Sequence, residues 1–65
     1  MDYGKRIKEL REGAGLSQVE LANKAHLTQP AISMIEASKR LPTFKTAEKI
    51  ANALGIDLLD LLKEE

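Results

Sequence analysis

Cysteine is absent from this 65-residue chain, so no disulfide framework exists, and the single histidine, His26, cannot make a zinc site alone. An intracellular, cytoplasmic protein without a metal is the expectation. Apolar runs extend for only two or three residues, whereas crossing a bilayer takes about 20. The first residues hold no apolar signal-peptide core either. A soluble chain with no membrane partner is therefore expected. Also missing are a nucleophile beside a base and a glycine loop that cradles phosphate, while the adjacent acids Glu64 and Glu65 fall at the chain end. Neither enzyme activity, nor a cofactor, nor a small-molecule ligand is indicated. Excess charge is the last absence: ten Lys/Arg balance ten Asp/Glu, although nucleic-acid-binding domains usually carry a basic surplus.

The distribution of charge is more informative than its sum. Residues 1–55 hold nine Lys/Arg against six Asp/Glu, while residues 56–65 hold Lys63 against Asp57, Asp60, Glu64 and Glu65. A basic body with an acidic C-terminal end results. At this length a chain forms one domain, residues 1–65, and buries only about 60% of the surface exposed when it unfolds.

Apolar spacing is helical throughout, with no strand pattern, repeat or linker. The organising stretch is Ser17 to Arg40, SQVELANKAHLTQPAISMIEASKR. Ser17 and Glu20 have the spacing of a capping box, flanked by Leu16 and Leu21 as a hydrophobic staple. The helix that starts there buries Val19, Leu21, Ala22 and Ala25. About three residues later Thr28 caps a second helix, with Leu27 and Ile32 as staple and Pro30 in the first turn, where its missing N–H costs little. Two helices joined this closely cross steeply, and the small Ala22 and Ala25 allow close approach. Residues 17–37 thus read as a helix-turn-helix.

Asp2 caps an earlier helix, in which Tyr3, Ile7, Leu10 and Ala14 recur at helical spacing and Gly13 and Gly15 end the run. After an irregular loop closing at Pro42, Thr43 caps a fourth helix with Phe44, Ala47, Ile50, Ala51 and Leu54 on its inner face and Gly55 beyond its end. A fifth helix begins near Asp57, with Ile56 stapled to Leu61. The expected class is all-α, five helices around one core.

The buried set Leu21, Ala22, Ala25, Leu27, Ile32 and Ile35, together with GLSQVELA, LTQPAIS followed by IE, and LPTFKTAEKIANALGI, resembles the Cro/CI-type domains of the XRE family, the lambda-repressor-like DNA-binding fold. The resemblance covers nearly the whole chain. It implies binding to double-stranded DNA and regulation of transcription, with repression the expected sense.

A helix that enters the major groove needs an exposed face of side chains short enough for close approach and polar enough to read base edges. Thr28, Gln29, Pro30, Ser33 and Met34 occupy that face. Gln29 leads this set, because a carboxamide can bond both N6 and N7 of adenine. In the family the position matching Gln29 commonly reads a base, and the glutamine matching Gln18 commonly binds a phosphate and braces the reader. Ser17 and Gln18 also stand where helix N-terminal amides favour an anion. Lys39, Arg40, Lys45 and Thr43 complete the phosphate set.

Three further expectations follow. Arg11 and Glu36 align with an ion pair that in relatives fixes the first helix against the end of the third. His26 and Ser38 stand where the family usually has glycine, so both are expected at positive φ. Leu58, Leu59, Leu61 and Leu62 exceed what one core-facing stripe hides, so Leu58, Leu59 and Leu62 are the expected surface of a homodimer. A rival from a different class is a protein-interaction adaptor that keeps the fold and binds partners through that leucine-rich helix.

Overall fold

In the computed structural model, described for residues 2–62, five helices and no strand occur among the described residues. They are α1 (Tyr3–Gly13), α2 (Gln18–Ala25), α3 (Gln29–Glu36), α4 (Phe44–Leu54) and α5 (Leu58–Leu62). Each of the first four starts is satisfied locally. Asp2 accepts the backbone N–H of Lys5 at 3.1 Å, and Thr43 that of Thr46 at 3.1 Å. Ser17 and Glu20 close a reciprocal box, Glu20 N to Ser17 Oγ at 3.0 Å and Ser17 N to Glu20 Oε1 at 2.8 Å. Thr28 Oγ1 accepts from Ala31 N, and Pro30 lies in the first turn of α3, where no intrahelical bond is lost.

Ile7, Leu21, Ile32, Ile35, Ile50 and Leu61 are fully buried, with Ala22, Ala25, Ala47 and Ala51 in the spaces between them. Fully burying one such aliphatic side chain contributes about 1.5–3 kcal/mol, so these six hold most of what a small core supplies. The alanines on α2 and α4 let the helices approach, and α2 packs on both α3 and α4. Gly4 does the same for α1: a Cβ there would collide with the backbone carbonyls of Ile35 and Glu36. Behind this unit, α5 packs against α1 and α4, and Arg6 Nη2 donates to the Asp60 carbonyl at 3.0 Å.

Three residues expected inside are outside. Val19 is 54% exposed because it stands at the edge of the α2 stripe, about 60° round from Ala22 but about 160° from Leu21. Phe44 has a core-facing angle but stands close to a full turn before the first buried residue of α4, Ala47, where the core has ended; it is 70% exposed. Ala14 is the exposed C-cap of α1, whose buried stripe is Gly4, Ile7 and Arg11. Glu64 and Glu65 lie outside the described residues.

Candidate nucleic-acid interface

Helix α3 is eight residues long and turns Ile32 and Ile35 into the core. At about 100° per residue, Gln29, Ser33, Pro30 and Met34 then spread over an arc of roughly 140° on the far side. Pro30 is exposed, and Gln29, Ser33 and Met34 are half-buried. None of them is charged. The one acid on α3, Glu36, has a side chain only 3% exposed and is paired, so the outward face offers no bare negative charge to a phosphate backbone.

Thr28 is exposed at the N-cap, its oxygen already accepting from Ala31. Ser17 is likewise engaged in its capping box. Gln18 and Gln29, the first residues of α2 and α3, are brought side by side, Gln29 Nε2 donating to Gln18 Oε1 at 2.8 Å. Gln18 Nε2 in turn donates to Glu36 Oε1 at 3.1 Å. Glu36 accepts Arg11 Nε on Oε2 at 2.7 Å and Arg11 Nη2 on Oε1 at 3.0 Å, a bidentate pair. Arg11 Nη1 reaches the Leu16 carbonyl just before α2, at 2.7 Å. The hydrogen bonds to Glu36, foremost, hold the Arg11 guanidinium above its ordinary pKa against the opposing cost of burial. One arginine of α1 therefore ties down both the start of α2 and the end of α3.

Both flanks of α3 are left-handed turns on residues other than glycine. His26 has φ 58° and Ser38 φ 60°. In each turn the following N–H reaches back to a helix carbonyl, Leu27 N to Ala22 O at 2.8 Å and Lys39 N to Met34 O at 2.9 Å. Ser38 Oγ also donates to Asp2 Oδ1 at 2.8 Å, so the cap of α1 braces the end of α3.

Lys39, Arg40 and Lys45 are all exposed. Arg40 and Thr43 share a cleft with Leu27, Ala31 and Leu41, between the turn before α3 and the start of α4. Leu58, Leu59 and Leu62 stand on α5, which packs on α1 and α4, and Leu62 meets Leu41 and Pro42 in a pocket beside that cleft. Leu58 is half-buried against the chain's own core, whereas Leu59 is 80% exposed and Leu62 partly so. Among the described residues no group of acids and histidine is arranged to hold a metal, and no helix is long and apolar enough to cross a membrane.

Sequence reasoning missed the bond from Gln18 to Glu36 and that from Ser38 to Asp2. No local pattern encodes either: the partners are 18 and 36 residues apart. The signal available was indirect, the residue types alone: an acid at the end of α3, and an arginine and an amide far from it in the chain.

The family model for helix-turn-helix proteins matches residues 7–61. The chain is 40% identical over 65 residues to the immunity repressor protein of Bacillus phage phi105, aligning over all of this chain and 45% of the repressor. It therefore spans less than half the length of that curated relative. The crystal structure of the restriction-modification controller protein C.AhdI from Aeromonas hydrophila superposes with a TM-score of 0.90 at 33% identity, covering 92% of this chain and 91% of that one. SinR, the master regulator for biofilm formation, superposes in its complex with DNA with a TM-score of 0.88 at 34% identity, covering 94% and 98%.

Proposed function

Since the chain belongs to the helix-turn-helix family, in its Cro/CI-type XRE branch, we propose that it is a sequence-specific DNA-binding regulator of transcription, acting as a repressor in the cytoplasm. Residues 1–65 serve as one DNA-binding domain. Helix α3 enters the major groove and Gln29 reads an adenine, with Thr28, Pro30, Ser33 and Met34 against neighbouring base edges and thymine methyls. Ser17, Gln18, Lys39, Arg40, Thr43 and Lys45 hold phosphates. The observation that carries this reading is the carboxamide of Gln29, held at the uncharged outer face of α3 by Gln18.

The experiment is selection of bound duplexes from a random DNA pool, then titration of the selected site with two variants. Gln29→Ala weakens that site by about 1–3 kcal/mol and relaxes preference at one base pair per half-site. Lys39→Ala weakens all sequences alike and lowers the slope of log K against log salt by about 0.9, the share of one neutralised phosphate. Equal loss on every sequence for Gln29→Ala removes its role as reader.

A single subunit makes few base contacts, which supports a homodimer on half-sites about 34–36 Å apart. Leu59 and Leu62 supply its apolar centre, flanked by Leu58. Leu59→Glu leaves the monomer folded, abolishes the dimer in sedimentation equilibrium and costs far more affinity on a two-half-site duplex than on one half-site. A wild-type chain that stays monomeric at high concentration and fills two half-sites independently overturns this assembly. The 80% exposure of Leu59 also favours a second reading, an adaptor that binds another protein there; it requires that the random pool yield no enriched sequence.

A further inference from the structure

The hydrogen bonds that end at Gln29 have a direction, and chemistry dictates it. Both oxygens of Glu36 receive N–H groups of Arg11, so this carboxylate accepts and has no proton to give. Only the amino end of Gln18 can face it, as observed at 3.1 Å. Gln18 must then turn its carbonyl oxygen the other way. Gln29 meets that oxygen with its own Nε2 at 2.8 Å. Each amide orientation is thereby set by its neighbour, back to the guanidinium on α1.

We propose that Arg11 and Glu36, acting through Gln18, are positioning residues that fix which way the Gln29 carboxamide points, and so make it select adenine and reject guanine. This rests on the reading that Gln29 contacts a base. With one N–H committed to Gln18, Gln29 retains one N–H and its Oε1. Adenine presents one acceptor and one donor, N7 and N6, which these two groups match. Guanine presents two acceptors, N7 and O6. A freely turning glutamine can offer both N–H groups to them; a tethered one cannot. The ion pair therefore sets specificity as well as holding the fold.

The probes are a duplex selected by the chain from a random pool and the same duplex with guanine replacing adenine at the position that Gln29→Ala relaxes. Wild type and the variants Gln18→Leu, Glu36→Gln and the double substitution are titrated with both. Gln18→Leu leaves the Arg11–Glu36 pair intact, so it answers the question even where Glu36→Gln unfolds. It is expected to lower the adenine-to-guanine affinity ratio about tenfold, the worth of one hydrogen bond. Glu36→Gln, whose amide can present either end to Gln18, lowers the ratio similarly, and the double variant lowers it no further, since the groups act in series. Thermal unfolding of each variant separates lost stability from lost preference. A wild-type ratio in Gln18→Leu, with weaker binding to both duplexes alike, overturns the proposal and leaves Gln18 a phosphate contact only. If that occurs at a position that Gln29→Ala does relax, base reading stands and the relay falls; a Gln29→Ala variant that relaxes no position of the selected duplex removes the underlying reading.

Discussion

Four helices of this chain end in the same turn, and the two turns that border α3 differ from the other two. Gly15 after α1, at φ 74°, and Gly55 after α4, at φ 73°, adopt the left-handed conformation on residues that enter it freely. His26 and Ser38, before and after α3, adopt it at φ 58° and 60° with side chains attached. The hydrogen bonding is common to all four: Leu16 N to Arg11 O, Leu27 N to Ala22 O, Lys39 N to Met34 O and Ile56 N to Ala51 O, between 2.8 and 3.1 Å. The turn is thus imposed by the helix end that it closes and not by the residue in it. What differs is support. A left-handed residue with a Cβ costs about 1–2 kcal/mol and persists where neighbouring contacts over-determine it. At Ser38 those contacts are the Arg11 and Glu36 pair, the seat of α1 at Gly4, and the bond from Ser38 to Asp2; at His26 they are the turn's own bonds to Ala22 and Asn23.

Removing that support is the strongest way to break the comparison. Arg11→Met strands the Glu36 carboxylate in a site where its side chain is 3% exposed, and loss of one partner of a buried pair typically costs about 3–5 kcal/mol. Chemical denaturation should find a loss of that size, with DNA binding falling faster than the folded fraction because α2 and α3 both lose their tie. A loss below about 1 kcal/mol means that the pair is solvated.

Next in size are the turns themselves. Gly15→Ala and Gly55→Ala place a Cβ in open space, with nothing within 4 Å, so their cost is backbone conformation alone, about 1–2 kcal/mol each. His26→Gly runs the other way and stabilises by about 0.5–1 kcal/mol, the relief of strain being partly offset by the greater freedom of glycine in the unfolded chain. Thermal unfolding of the three variants measures the asymmetry. If His26→Gly destabilises, the imidazole makes a contact that outweighs its strain.

How far the sequence could be read follows from the same contrast. Caps are local, and Asp2, Ser17, Thr28 and Thr43 sit where their spacing to the following residues placed them. The left-handed His26 and Ser38 were legible only through the family resemblance, since neither residue type advertises the conformation as glycine does. The inner face of α4 was legible from periodicity, yet periodicity gives an angle and not a depth, so it could not show that Phe44 projects beyond the core. On α2 it set Val19 with the buried residues, whose stripe Val19 only borders. In the interface, the residue types at Gln18, Gln29 and Glu36 were visible, and the order in which they bond was not. That order depends on bringing together the starts of α2 and α3 with the end of α3, which only the tertiary fold supplies.

The smallest effect is the one that Asp2 exerts on the turn at Ser38. Its carboxylate lies below its ordinary pKa of 3.8, chiefly because it accepts the N–H of Lys5, with the Ser38 hydroxyl second. A group whose folded pKa is depressed contributes stability that is complete above its unfolded pKa and vanishes as pH falls through the folded one. The contribution of Asp2 should therefore be constant from neutral pH down to about pH 5, then fade on the acid side of 3.8. Asp2→Asn keeps a good N-cap and an acceptor for Ser38 but does not ionise. The difference in urea midpoint between wild type and Asp2→Asn should be flat near neutrality and shrink in acid. Glu20 is lowered too, mainly by the N–H of Ser17, but it is present in both proteins and cancels in the difference. Repeating the pair on a Ser38→Gly background isolates the turn: a smaller pH-dependent part shows the hydroxyl bracing the left-handed residue, and an unchanged one assigns the whole effect to the cap on α1.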